Sequence, residues 1–117
     1  MFIRVDPSAR APLFEQVASS VRGAIVRGEV GPGDRLPSAR DVAASLEINV
    51  HTVLRAYQDL RDEGLVELRR GRGAVITESA TGRAELVTAM DAVLAVAARL
   101  GIDQDALFAA FRERSKE

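Results

Sequence analysis

The sequence of 117 residues contains no cysteine and only one histidine. Without cysteine, the chain can form neither a disulfide framework nor a metal site with thiolate ligands. The single histidine, His51, has no second histidine with which to build a metal site or a proton relay. Neighbouring carboxylates such as Asp62 and Glu63 point apart on a helix, and the glycines match no nucleotide-binding spacing. We therefore expect no metal, no cofactor and no enzymatic activity.

Long apolar runs are also missing. No stretch approaches the roughly 18 consecutive apolar residues of a membrane-spanning helix, and residues 1–7 lack the apolar core of a secretory signal. Apolar residues make up 47% and charged residues 28% of the chain, which is typical of a globular rather than a disordered protein. We expect a cytoplasmic protein without a membrane partner, built as one domain with a small appendage.

An excess of positive charge is absent as well. Sixteen basic and seventeen acidic residues give a formal net charge of −1. A nucleic-acid-binding protein with this balance must place its cations locally, since its overall field does not attract DNA. All basic residues except Lys116 are arginine, whose planar fork suits phosphates and guanine edges. A GC-rich genome would produce the same bias.

Apolar spacing predicts three helices in the first half of the chain. Residues 12–27 form an amphipathic helix that Gly28 closes in a left-handed conformation. The second helix begins at Ser38, which with Asp41 resembles a capping box. The third begins after Asn49, a good N-cap residue, and ends at Gly64.

The pattern then changes to two short β-prone runs, 65–68 and 74–77. Between them lies Arg69-Arg70-Gly71-Arg72-Gly73, whose glycines supply the positive φ angles that a hairpin turn needs. Two helices joined by a tight turn and followed by a hairpin indicate a winged helix-turn-helix. The predicted fold is thus mostly α with a small β-hairpin, and its domain covers residues 1–78.

Residues 79–117 are predicted to form a two-helix segment after a polar linker over 78–82. About 35 residues are too few to bury a stable core alone. The helix pair must therefore pack on the first domain, on a partner chain, or on both. Its apolar faces carry the candidate dimerisation residues, which are Leu86, Met90, Leu94, Leu107, Phe108 and Phe111.

Candidate DNA contacts follow from this arrangement, because the N-terminal residues of a recognition helix meet base edges. Asn49 can pair with adenine, although helix capping alone would also explain it. His51 is either a contact or an ordinary surface residue. The wing arginines can enter a minor groove or simply keep a turn soluble. An arginine such as Arg40 can equally well pair with Asp41 or another acidic neighbour.

Several of these runs, in fixed order, resemble the GntR family of bacterial transcription regulators, and the N-terminal run is most similar to its YtrA-like subfamily. They are Pro12-Leu13-Phe14-Glu15-Gln16-Val17, Gly33-Asp34-Arg35-Leu36-Pro37-Ser38-Ala39-Arg40-Asp41, Asn49-Val50-His51-Thr52-Val53-Leu54-Arg55-Ala56-Tyr57, Glu63-Gly64-Leu65-Val66 and Gly71-Arg72-Gly73. The resemblance covers residues 2–77. It implies DNA contacts from the second helix, the recognition helix and the wing, and a short tail that pairs two chains.

Carried over residue by residue, the resemblance makes Arg40 a DNA-contacting position. Val50 and Leu54 depart from the family, since arginine often stands at both positions. Either the DNA site differs, or Arg55 and His51 take over part of the contact. The predicted DNA-binding residues are Arg35, Ser38, Arg40, Asn49, Val50, His51, Thr52, Arg55, Arg70, Gly71, Arg72 and Gly73.

The predicted function is a homodimeric regulator, a repressor, that binds an inverted repeat in double-stranded DNA. One alternative is a winged-helix adaptor that binds another protein, which the near-neutral charge favours. A second is a regulator that senses a small molecule in a pocket at the tail. The sequence does not identify such an effector.

Overall fold

The computed structural model describes residues 3–116 and confirms the predicted fold class. The described residues form five helices and one antiparallel β-hairpin, and they divide into two compact units between Glu85 and Leu86. In chain order the elements are α1 (Leu13–Val26), α2 (Ala39–Leu46), α3 (Val50–Asp62), β1 (Val66–Arg69), β2 (Gly73–Ile76), α4 (Ala80–Leu100) and α5 (Gln104–Arg114).

The core of the first unit lies where α1, α2 and α3 meet. Val17 and Val21 of α1 fall one turn apart and are fully buried, as the helical spacing of apolar residues requires. They belong to one apolar cluster with Val42 of α2 and with Val53 and Leu60 of α3. This cluster fixes α3 against the other two helices and leaves its opposite face in solvent.

The predicted tight turn between α2 and α3 is present and has three residues, 47–49. Glu47 ends α2 in the left-handed region, with a φ of 56°. Both predicted N-caps are present: Ser38 Oγ accepts a hydrogen bond from the Asp41 amide at 3.0 Å, and Asn49 Oδ1 accepts one from the His51 amide at 2.8 Å. These bonds satisfy amides that have no partner inside their helices.

The hairpin differs by one residue from the predicted strands 65–68 and 74–77. Leu65 donates its amide proton to the Leu60 carbonyl, because Gly64, at a φ of 80°, closes α3 there. The first strand therefore starts at Val66, and Arg69 pairs with Gly73. The predicted positive φ angles of the turn glycines are confirmed, at 79° for Gly71 and 74° for Gly73.

A third segment lies along the hairpin, which the sequence did not predict. Gly33 N and Leu36 N donate to the carbonyls of Ile76 and Ala74, each at 2.9 Å, and Arg35 is bridged to Val75. The chain that leads into α2 is therefore attached to the wing. This places Arg35 beside the second wing strand.

The predicted polar linker over residues 78–82 is wrong, because α4 begins within it, at Ala80. Ala80 and Ala84 are fully buried in the core of the first unit. The polar residues between them, Thr81 and Gly82, are exposed on the other side of the helix, which explains why the segment looks like a linker in sequence. The sequence placed the domain boundary after residue 78, whereas the compact units divide after Glu85.

The second unit begins at Leu86 and contains the remainder of α4 and all of α5. Gly101 ends α4 with a φ of 70°, and Asp103 Oδ1 caps α5 by accepting from the Ala106 amide at 2.9 Å. Among residues 3–116, no helix is both long and apolar enough to cross a membrane. The large apolar side chains of this unit are mostly exposed, as in Leu86, Met90, Leu94, Phe108 and Phe111, while Leu107 is half-buried.

Candidate nucleic-acid interface

The start of α2 is held in place by a buried tyrosine. Tyr57 of α3 donates its hydroxyl proton to the Pro37 carbonyl at 2.6 Å. Burial of the ring raises the pKa of Tyr57 above its ordinary value, so the hydroxyl stays protonated and keeps donating. This bond ties the recognition helix to the segment that carries Ser38 and Arg40.

Arg40 lies in the first turn of α2 and is exposed. In the described part of the chain it forms no ion pair, neither with Asp41 nor with Glu47. Its charge is therefore available to an external anion. Arg35, which precedes α2, is likewise exposed and unpaired over residues 3–116.

The first turn of α3 presents a mixed set of side chains. Asn49 and His51 are exposed, whereas Val50 and Thr52 are half-buried. Val50 packs against the core cluster, so part of its side chain serves the fold. The unpaired amides at a helix N-terminus favour a phosphate, and this end of α3 lies on the surface.

Arg55 is placed differently from a free surface arginine. Its guanidinium carbon lies 3.6 Å from the centre of the Phe14 ring in α1. This distance is that of a cation–π contact, which restrains the side chain without neutralising its charge. A DNA contact of Arg55 would therefore compete with its contact to Phe14.

The wing tip contains two kinds of arginine. Arg69 is paired with Glu67, with Nη2 and Oε2 2.6 Å apart. Arg70 and Arg72 are exposed and have no side-chain partner in the part of the chain that is described. Gly71 and Gly73 leave open space around the backbone, where an added Cβ would meet nothing within 4 Å. The tip thus offers two uncompensated cations on an accessible turn.

One surface groove joins the three predicted elements. Ser38 from the start of α2, Leu54 from α3 and Arg70 from the wing all line it. Sequence reasoning missed most of the lining residues, among them Leu54, Gln58 and Leu68. Gln58 follows Leu54 by four residues, so helical spacing could have found it. Leu68 has no such local signal, because its place depends on how the hairpin folds back toward α3.

The helix–turn–helix and the adjacent hairpin define the first unit as a winged helix-turn-helix. Residues 13–76, more than half of the chain, match the model of bacterial regulatory proteins of the gntR family. The chain therefore belongs to the GntR family, which confirms the resemblance found in the sequence.

Two relatives illustrate the match. The HTH-type transcriptional repressor YtrA of Bacillus subtilis is 40% identical over 78 residues, which are 67% of this chain and 60% of the repressor. An HTH-type transcriptional regulator of Mycobacterium tuberculosis is 36% identical over 101 residues, 86% of this chain and 84% of the relative. The chain thus spans less than two thirds of the first relative and most of the second.

Solved structures agree with this assignment. YtrA from Sulfolobus acidocaldarius, a GntR-family transcription factor, superposes with a TM-score of 0.63 at 35% identity, over 81% of this chain and 99% of that one. A GntR-family transcriptional regulator from Listeria monocytogenes gives 0.66 at 28% identity, over 93% and 98%. The DNA-binding domain of AraR, solved with an operator, shares the fold at 22% identity, with a TM-score of 0.57 over 63% and 92%.

Proposed function

We propose that this chain is a homodimeric repressor of transcription that binds an inverted repeat in double-stranded DNA through α2, α3 and the wing. One observation carries the proposal. Exposed arginines without partners in the described chain, Arg40 and Arg70 among them, lie on the elements that meet at the groove, and the N-terminus of α3 is exposed. The phosphates of a DNA backbone supply the negative charges that would pair with these arginines.

The placement also explains how a chain of net charge −1 can bind DNA. Several acidic side chains are engaged within the chain, as in the pairs Arg22–Glu63 and Arg69–Glu67. Each pair neutralises one arginine as well as one carboxylate, so the unpaired arginines attract DNA through their position and not through the overall charge. Local attraction of this kind gives binding that weakens steeply as salt concentration rises.

We assign dimerisation to the second unit. Its exposed apolar side chains line one groove between α4 and α5, with Met90 and Leu94 on one helix and Phe108 and Phe111 on the other. An apolar surface of this kind on a small helical unit is typical of a surface that a partner covers. A twofold dimer would present two recognition helices about 34–36 Å apart, or a multiple of that, which requires an inverted repeat.

The first experiment is a selection from a random pool of duplex DNA by the purified chain at near-physiological salt, followed by sequencing. We expect enrichment of an inverted repeat. Affinity for the enriched duplex should then fall as the salt concentration rises. A plot of log affinity against log salt concentration should have a slope of roughly −0.9 for each phosphate that the protein neutralises. Folded protein that enriches no sequence, or binding that ignores salt, would contradict the proposal and favour a protein-binding adaptor. Enrichment of a single half-site would contradict the dimer.

Reporter expression from the enriched site distinguishes repression from activation. We expect lower expression when the chain is present. Higher expression would show that the regulator activates, while leaving its DNA recognition intact.

A further inference from the structure

α3 exposes one large apolar side chain. All of its residues, Val50–Asp62, are described; Val53, Tyr57 and Leu60 are buried, whereas 41% of Leu54 is exposed. An exposed leucine alone needs no explanation. Leu54, however, is exposed in the groove that residues of α2, α3 and the wing line together.

Leu54 lies on the outward face of the recognition helix. It follows exposed His51 by three residues and precedes Gln58 by four, and these spacings put the three side chains on one side of the helix. It shares the groove with Ser38 and Arg70. Leu54 therefore lies close to both polar and apolar groups, the exposed Leu68 among them, at the surface where DNA is proposed to bind.

The chemistry of the DNA grooves restricts what Leu54 can contact. Phosphates and most base edges offer hydrogen-bond donors and acceptors, which a leucine cannot use. The major groove presents one apolar group, the C5 methyl of thymine. A leucine packed on that methyl removes apolar surface from water on both sides of the contact.

We infer that Leu54 is a specificity-determining residue that contacts the C5 methyl of one thymine in each half-site. The inference rests on the proposed function, since it requires α3 to enter the major groove. The inference states which base is preferred at one position of each half-site, a preference that the charged residues do not determine.

The test removes the methyl group and nothing else. In the duplex enriched by the wild-type chain, each thymine is replaced in turn by deoxyuridine, and affinity is measured by fluorescence anisotropy. We expect one thymine per half-site at which the replacement weakens wild-type binding about fourfold, the effect of one buried methyl. In Leu54→Ala the same replacement should have no effect, because the partner of the methyl is gone.

Leu68→Ala is the matched control. Leu68 is a second leucine on the same groove and is 43% exposed. We expect this variant to retain the fourfold effect of deoxyuridine. If no thymine shows the effect, if Leu54→Ala retains it, or if Leu68→Ala abolishes it instead, the inference is overturned.

A second variant tests the inference by gain of a new preference. Leu54→Arg should fold normally, because the position is exposed and arginine is a good helix former. A selection with this variant should enrich guanine, the usual partner of arginine, at the same position and leave the other positions unchanged. An unchanged consensus would contradict the role of Leu54 while leaving the proposed function intact. Failure of the wild-type chain to enrich any sequence would refute both.

Discussion

At the residue scale, the arginines of this surface differ in whether their side chains already have a partner within the chain. Arg69 is paired with Glu67, and Arg55 is stacked on Phe14. Arg40 and Arg72 have no such partner over residues 3–116. An unpaired guanidinium loses no existing contact when it binds a phosphate or a base, so these two, like the unpaired Arg35 and Arg70, should contribute more to binding than Arg55 and Arg69.

Replacing Arg40 tests this directly. We expect Arg40→Ala to weaken binding to the enriched duplex by about 1–3 kcal/mol, the loss of one specific contact. The measurement is a titration by fluorescence anisotropy, with circular dichroism to show that the fold is intact. Arg61→Ala is the control, because Arg61 is exposed, pairs with Asp62 and lies about 16 Å along α3 from its N-terminus. Equal losses in both variants would remove Arg40 from the site.

Asn49 has two possible roles that one substitution separates. Aspartate keeps the side-chain acceptor that caps α3 but replaces the amide donor with an anion. We expect the free energy of unfolding of Asn49→Asp to lie within about 0.5 kcal/mol of the wild-type value, and its affinity for DNA to fall. Asn49→Ala should lose about 0.5–2 kcal/mol of unfolding free energy. Urea denaturation and anisotropy measure the two effects. Wild-type affinity in Asn49→Asp would show that Asn49 acts only as a cap.

At the scale of elements, α2, α3 and the wing are connected by a few tertiary bonds. Tyr57 ties α3 to the start of α2, and Leu36 ties the chain before α2 to the second wing strand. Arg22 of α1 forms a two-point pair with Glu63 at the end of α3, at 2.6 and 2.8 Å. These contacts set the relative positions of the three elements proposed to face DNA, which their own sequences do not determine.

Tyr57→Phe removes one such bond. We expect a loss of about 0.5–1.5 kcal/mol in the free energy of unfolding, because the Pro37 carbonyl loses its donor. DNA affinity should fall as well, since the start of α2 is less well held. Urea denaturation and anisotropy measure the two effects, and an unchanged stability would contradict a structural role for the hydroxyl.

The pH dependence of stability provides a second signature of Tyr57. Its pKa is raised in the folded chain, so above about pH 10 the unfolded chain releases this proton first. The stabilisation is complete below that pH and should be lost as the pH rises further. Because the chain has one tyrosine and no tryptophan, phenolate absorbance reports on this residue alone. Tyr57→Phe should lack this part of the alkaline decline, and an identical decline in both proteins would contradict the assignment.

At the scale of the whole molecule, the exposed apolar surface of the second unit is the strongest reason to expect two chains. Truncation after residue 78 is a poor test, because it also removes Ala80 and Ala84 from the core of the first unit. A charge placed on the proposed interface avoids this problem.

We expect Leu94→Glu to convert the dimer into a monomer, because the carboxylate would be buried without a partner. Analytical ultracentrifugation measures the change. Ala92→Glu is the control, since Ala92 is exposed about 200° around α4 from Leu94. A Leu94→Glu chain that still sediments as a dimer would place the dimer interface elsewhere.

The sequence by itself determined the elements whose signals are local. The caps at Ser38 and Asn49, the glycines of the wing turn and the apolar stripe of α1 depend on residues a few positions apart, so they could be read from the order of residues. The family followed from the same motifs. The same local signals led to the predicted DNA-contacting residues.

Only the tertiary structure decided which of those residues remain available. Two contacts join segments that lie far apart in the chain: Arg55 stacks on Phe14, and Arg22 pairs with Glu63. The burial of Ala80 likewise depends on packing against distant residues. Composition made the segment at Ala80 look like a linker, whereas packing made it a helix. Spacing along the chain specifies a helix face, but what that face contacts depends on how distant segments come together.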